Sequence, residues 1–274
     1  MLKKKVLAAT VASLGLAMPF AHAEEAASPH SVTGNLTFVS DYIVRGITQT
    51  ESKPAVQGTV EYGHASGLYA GLFGSNVSWV SDFTGPKADG SGTFNGSTTA
   101  SSAFELDLYA GFRNKFLGDF SYDVGAVYYW YPGRYPTDLV GGAKSANTGE
   151  IYGALGWKWI TAKIWYAVTD DVFLVPDASG TYYANLAANV PIGQTGFNAY
   201  AHVGTWKWAG GGAYGFDNSN YDAVDWKIGA TKDLVGFTWG LFYSDTNGDP
   251  VYWSDRYGKN LSKETVFLQV TKAF

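Results

Sequence analysis

The sequence predicts an all-β protein, a transmembrane antiparallel up-and-down β-barrel of about 12 strands with both termini periplasmic. Three observations predict it. Apolar and polar residues alternate along many segments, the links between segments alternate long and short, and aromatic residues gather at segment ends.

The alternation is plainest at Phe104, Leu106, Leu108, Ala110 and Phe112, which are interleaved with Glu105, Asp107, Tyr109, Gly111 and Arg113. Strand side chains point to alternate faces, so one face is apolar and the other carries charge. Wound as a helix, the same segment would carry charge on every side. The stretch from Phe120 to Trp130 repeats the pattern. Twelve such segments are expected, over about 32–46, 54–64, 67–80, 103–116, 119–132, 148–159, 160–171, 180–191, 195–208, 220–232, 236–245 and 264–274.

The connections sort by length. Ile47–Lys53, Ser81–Ser102, Gly133–Asn147, Val172–Ser179, Ala209–Ser219 and Thr246–Lys263 are long. Between them lie Ala65-Ser66, Leu117-Gly118, a near-direct join at Trp159-Ile160, Gly193-Gln194 and Leu234-Val235. Long loops outside and tight turns inside are the outer-membrane arrangement. Aromatics then fall in two belts, where a ring body is buried in lipid and its polar tip is wet. Trp130, Tyr131, Trp206 and Trp208 are expected at the long-loop rim. Tyr62, Phe112, Phe116, Phe120, Trp157 and Trp159 are expected at the short-turn rim.

Residues 1–23 read as a secretory signal peptide. Lys3, Lys4 and Lys5 precede an apolar run from Val6 to Leu16, and Ala21-His22-Ala23 places cleavage after Ala23. The run is too short to cross ~30 Å of hydrocarbon as a helix. A short periplasmic segment, 24–31, is expected next, and then the barrel, 32–274. Localisation in the cell outer membrane follows. At the far end Val266, Leu268 and Val270 alternate with polar residues, and the last residue is Phe274. Such an ending resembles the signal that outer-membrane proteins present to the barrel-assembly machinery. Lys272 departs from that pattern, and its long stem lets the ammonium snorkel to the interface.

Composition narrows the function. The chain has no cysteine, which excludes thiol chemistry and Cys-ligated metals. It carries 24 acidic and 19 basic residues, and three of the basic ones fall in the signal. An acidic chain is a poor partner for nucleic acid. The expected surroundings are outer-membrane lipid and lipopolysaccharide. The 10 Trp, 19 Tyr, 16 Phe and 34 Gly, with near-neutral mean hydropathy, suit apolar residues confined to one face of many strands.

Several strings carry a family resemblance. They are Ser40-Asp41-Tyr42-Ile43-Val44-Arg45-Gly46 with Thr48-Gln49, the run Tyr69 to Val77, Glu105 to Gly111, Tyr129-Trp130-Tyr131-Pro132-Gly133, and Glu150-Ile151-Tyr152. In that order they resemble the TorF-type porins of the Gcw_chp outer-membrane family, over the first half of the barrel. The resemblance implies an outer-membrane, channel-like protein, with no particular substrate and no catalytic residue.

Parity supplies candidate lumen residues: Asp41, Arg45, Glu61, Glu105, Asp107, Arg113, Asp123, Glu150, Lys158, Lys163, Asp225 and Lys227. Charge rings inside a barrel decide what passes. This set is acidic on balance, which suggests weak cation preference. The same charges could instead pair and fill the bore, since twelve strands lie between small filled barrels and wide wet porins. Asp41 and Arg45, read on one strand, would lie ~13 Å apart.

No catalytic residue, metal site or cofactor is expected. His30, His64 and His202 do not sit on the lipid face beside a nucleophile, as a barrel lipase would need. Asp245-Thr246-Asn247-Gly248-Asp249-Pro250 begins like a calcium loop, but Pro250 replaces the required glycine. Ser91 to Ser102 reads as a flexible loop. The function expected is a pore for passive diffusion of small hydrophilic solutes. The alternative is a non-conducting barrel whose loops mediate surface interaction or adhesion, with Trp206, Trp208, Tyr252, Trp253 and Tyr257 as contact area.

Overall fold

A computed structural model describes residues 28–87, 93–139, 142–212 and 216–274. The signal peptide, the start of the segment after it and the first two residues of the Ser91–Ser102 loop lie outside the described residues. The alternating segments become the strands of one closed antiparallel barrel. They are β1 (His30–Val39), β2 (Ala55–His64), β3 (Leu68–Asn76), β4 (Phe104–Phe116), β5 (Phe120–Trp130) and β6 (Thr148–Trp157). Then come β7 (Ile160–Ala167), β8 (Tyr182–Pro191), β9 (Phe197–Lys207), β10 (Ala223–Leu234), β11 (Phe237–Thr246) and β12 (Thr265–Ala273). Each pairs with its sequence neighbours, and β12 pairs with β1 to close the ring. No strand edge is left open, so the backbone polar groups of the wall are satisfied within it.

The turns on one rim are tight. Leu117-Gly118 and Val235-Gly236 both have positive φ at two consecutive residues, the conformation that matches the twist of a two-stranded ribbon. The seam is held by Gly34 and Phe274, whose N–H groups each donate to the other's carbonyl at 3.0 Å. Lys272 donates to the Gly236 carbonyl at 2.9 Å, so its stem runs along the short-turn rim instead of entering the wall.

Val32, Leu36, Val56, Leu155, Ile228 and Leu241 point outward and are exposed, as a lipid-facing band requires. Tyr62, Phe116, Phe120, Trp157 and Trp159 form the expected short-turn belt. At the other rim Trp130 is exposed as expected, beside Tyr128, Tyr166 and Tyr182. Tyr131, Trp206 and Trp208 are not in that belt. All three are buried and face inward, packed against the long loops. The parity that puts His202 inside also puts Trp206 and Trp208 inside.

Glycines let aromatic rings lie flat on the inner wall. A Cβ on Gly204 would stand 2.1 Å from the Tyr183 hydroxyl, and one on Gly111 2.4 Å from that of Tyr69. The short-turn half of the bore is lined by polar groups such as Glu61, Arg113, Asp123, Lys163, Thr231 and Thr271. The long-loop half is filled by an aromatic and aliphatic core built from Tyr42, Trp79, Tyr131, Leu174, Trp206 and Trp253 with their neighbours.

Candidate functional site

The first strand is shorter than its alternation suggests. It stops at Val39, and the chain turns into the bore. Ile43-Val44 pairs with Ile47-Thr48 as a two-residue-wide hairpin. Arg45 (φ 49°) and Gly46 (φ 80°) form its tip, again two consecutive left-handed residues. Asp41 and Arg45 therefore do not share a strand. Asp41 is buried at the hairpin base, where its carboxylate accepts from the Thr48 hydroxyl at 2.5 Å and the Thr50 hydroxyl at 3.3 Å. Tyr42 donates through its hydroxyl to Glu105 on β4 at 3.2 Å.

Arg45 reaches the wall of β6. Its Nη2 lies 2.9 Å and 2.7 Å from the two carboxylate oxygens of Glu150, which also accepts from the Tyr129 hydroxyl at 3.0 Å. The guanidinium is caged by Trp206 and Tyr183, with ring centroids 4.7 Å and 4.8 Å away, and by Phe173 and Trp165 at 5.8 Å. Guanidinium groups are weakly hydrated and stack well on aromatic faces, so arginine suits a dry cage. Phe173 reaches it at a backbone cost: Phe173 and Leu174 both have positive φ, 48° and 71°. On the opposite side, a Cβ on Gly46 would be 2.7 Å from Cβ of Asp225 on β10 and of Thr246 on β11. The hairpin thus bridges opposite walls.

The hairpin has a second attachment at the rim. Glu51 hydrogen-bonds with Asp82, in the one-turn helix α1 (Trp79–Asp82) of the second long loop, and with Asp255 in the last one. Burial and the hydrogen bond with Glu51 push the Asp82 carboxyl up to about 6. Burial raises Asp255 as well. At Glu51 burial also acts upward, but the hydrogen bonds with Asp82, Lys53 and Asp255 outweigh it and hold it below the usual carboxylate range. Lys53 and Lys259 flank the group, at 2.9 Å and 3.8 Å from Glu51 Oε2.

Below the hairpin the predicted lumen charges form separate groups. Glu61 pairs with Arg113, which lies 4.2 Å from the Tyr69 ring centroid. The Tyr69 hydroxyl bonds Asp123 at 2.5 Å and the Tyr152 hydroxyl at 2.6 Å. Lys163 lies over Tyr152 and Trp165, at 3.8 Å and 4.5 Å from their centroids. Asp225 accepts from Tyr183 and contacts His202 Nε2, each at 2.8 Å. Lys227, also buried, approaches Tyr200 and Phe242. Asp107 is fully buried beside Glu105, and outside that carboxyl pair its oxygens have no hydrogen-bond partner among the described residues.

Lys158 is the exception in that set. It occupies the tight turn after Trp157, with φ 53°, and its ammonium is 3.8 Å from Asp119 of the adjacent turn. Parity fails there because the strand has ended. Near Asp245–Pro250 the carboxylates serve as turn acceptors, Asp249 taking the Val251 N–H at 2.9 Å.

Residues 23–274 match the family model described as "Bacterial protein of unknown function (Gcw_chp)". The chain belongs to the Gcw_chp family. Among solved structures this Gcw_chp barrel resembles the COG4313 outer membrane channel from Pseudomonas putida F1. The TM-score is 0.50 at 13% identity, covering 91% of this chain and 97% of that one. It also resembles a structure described as KdgM porin, with TM-score 0.48 at 6% identity over 88% of this chain and 98% of that one. These likenesses concern the fold. No curated protein sequence matches the Gcw_chp chain.

Proposed function

We propose that this protein is an outer-membrane channel for small hydrophilic solutes, with the first long loop as its resident gate. The observation that carries the reading is the contrast along the bore. The short-turn half is lined by hydroxyl, amide and charged side chains, whereas the passage above it is filled by the loop core and crossed by one hairpin with a single arginine at its tip. A barrel serving only as a scaffold has no need of a polar bore. In this reading the short turns and both termini face the periplasm, and solutes enter from the long-loop side after export directed by the signal peptide. Phe274 and the alternating strand before it would serve recognition by the assembly machinery.

The Asp107 carboxyl and that of Glu105 beside it lie next to the gate. With Lys158 at the rim, the predicted lumen set holds seven acids and four bases, in keeping with weak cation preference. The adhesion reading keeps Tyr252 and Tyr257 as accessible contact residues but loses Trp206, Trp208 and Trp253, which are buried in the loop core. The test is single-channel conductance of residues 24–274 in planar bilayers, comparing the native chain with Arg45→Ala. The native chain is expected to open rarely, and the variant to conduct in long, salt-dependent steps. If Arg45→Ala folds and never conducts, the gate and the channel both fail.

A further inference from the structure

Above the gate lies a second enclosed cavity of about 70 Å³, walled largely by aromatic rings. Trp79, Trp206, Trp208 and Trp253 all line it, and all four are at least nine-tenths buried. None of their four indole N–H groups has a hydrogen-bond partner among the described residues. Buried tryptophan normally finds a partner for its N–H, and each unmet donor costs about 1–3 kcal/mol. Four around one cavity is a concentration that packing alone does not explain. The rings come from different elements: α1, the end of β9 and the last long loop. Trp206 stands 4.8 Å from Trp208 and 5.6 Å from Trp253, centroid to centroid, so the flat faces converge.

We infer that this cavity is a binding site for a neutral, polyhydroxylated solute, a sugar or sugar alcohol. Its hydroxyl oxygens accept from the indole N–H groups, and its C–H faces lie on the rings. Charge is excluded by the lining, which contains no acidic or basic side chain. A purely apolar solute would leave the four donors unmet. Gln49, Phe173 and Trp206 border both this cavity and the lumen cavity that Arg45 lines, so a bound solute sits directly above the gate. At this volume the closed cavity has room for about two waters, so anything as large as a pyranose requires the loops to part. As an assignment of the transported solute the inference rests on the channel reading; as a binding site it stands without it.

The test is calorimetric titration of the detergent-folded protein with glycerol, erythritol and methyl β-D-glucopyranoside, against glycine betaine, benzoate and toluene. Saturable binding is expected for at least one of the neutral polyols and for none of the other three. Trp208→Phe and Trp253→Phe keep an aromatic face, though a smaller one, and remove the donor, and each should weaken that binding about three- to tenfold. Trp159→Phe, on the outer belt, should leave it unchanged. Folding of each variant is checked by its heat-modifiable gel mobility. No saturation with any polyol well beyond millimolar concentration means that the donors are met by water alone, and overturns the site. Equal or tighter binding of betaine, benzoate or toluene overturns the assigned class. Polyol binding by a protein that never conducts would sink the channel reading and leave the site; conduction without polyol binding would do the reverse.

Discussion

The first long loop is held at two places, and the two attachments differ in kind. Inside the bore, Arg45 meets Glu150 as a charge pair through one guanidinium nitrogen, Nη2, in an aromatic cage. At the rim, Glu51, Asp82 and Asp255 meet as three acids with two lysines near them. The inner attachment is built on a permanent cation, because guanidinium is not deprotonated in proteins. The outer one depends on how many protons the acids share. One loop therefore carries an inner lock built on Arg45 and an outer hinge sensitive to pH.

The largest effect is expected at the inner attachment. Removing one member of a buried pair leaves the other unpaired, at a cost of about 3–5 kcal/mol. Arg45→Ala and Glu150→Ala should each raise open probability strongly, and the double variant should add little to either alone. Additive effects would mean that the two residues do not act as one lock. Arg45→Lys should fall between, since an ammonium keeps the charge but loses the planar stacking on Trp206 and Tyr183.

Next in size is the charge of the bore itself. Asp123→Asn removes a carboxylate of the β5 wall that accepts from the Tyr69 hydroxyl. In an Arg45→Ala background, where current can be read, it should lower cation over anion permeability severalfold, as a shift in reversal potential across a salt gradient. An unchanged reversal potential would place the permeating ions away from β5.

The barrel was legible because period-two alternation and loop length are local signals. The parity from Glu105 to Arg113 holds residue by residue, and the short turns fall where Leu117-Gly118 and Gly193-Gln194 stand. The gate was not legible as such, for two physical reasons. Ile43-Val44 and Ile47-Thr48 read as strand whether the strand lies in the wall or in the bore, so the first strand was extended to residue 46. Arg45-Gly46 is a turn signal within that run, and it marks the true break. The cage was missed because Trp206 and Trp208 stand at a strand end, where a lipid belt and an inward core call for the same residues. Phe173 owes its place to left-handed backbone at a non-glycine residue, which no propensity anticipates. Glu150 and Arg45 were each placed in the lumen, but their pairing spans a long sequence separation and needs the closed ring.

The outer attachment predicts a smaller, graded response. Asp82 lies near 6 in the folded loop against an ordinary value of 3.8, so folding of the loop takes up a proton. Its contribution is complete below the unfolded value, and it is lost as pH rises through about 6. Open probability should accordingly rise between about pH 5 and pH 7. Asp82→Asn, which fixes the neutral form, should flatten that rise and hold the low open probability. A rise that persists in this variant would move the sensor away from Asp82.

The smallest effect concerns Lys158, which strand parity alone assigns to the bore. Its ammonium is at the short-turn rim beside Asp119, both side chains largely in solvent. Exposed pairs of this kind contribute about 0–1 kcal/mol, and a charge outside the bore is screened within about 8–10 Å by physiological salt. Lys158→Gln should therefore leave conductance, selectivity and thermal stability close to native. Lys227→Gln removes a charge of the same sign from a buried position in the wall of the lumen cavity, and should alter selectivity measurably. Equal responses from the two lysines would mean that the ions feel the rim as strongly as the bore, and the gate would then not be the narrowest point of their path.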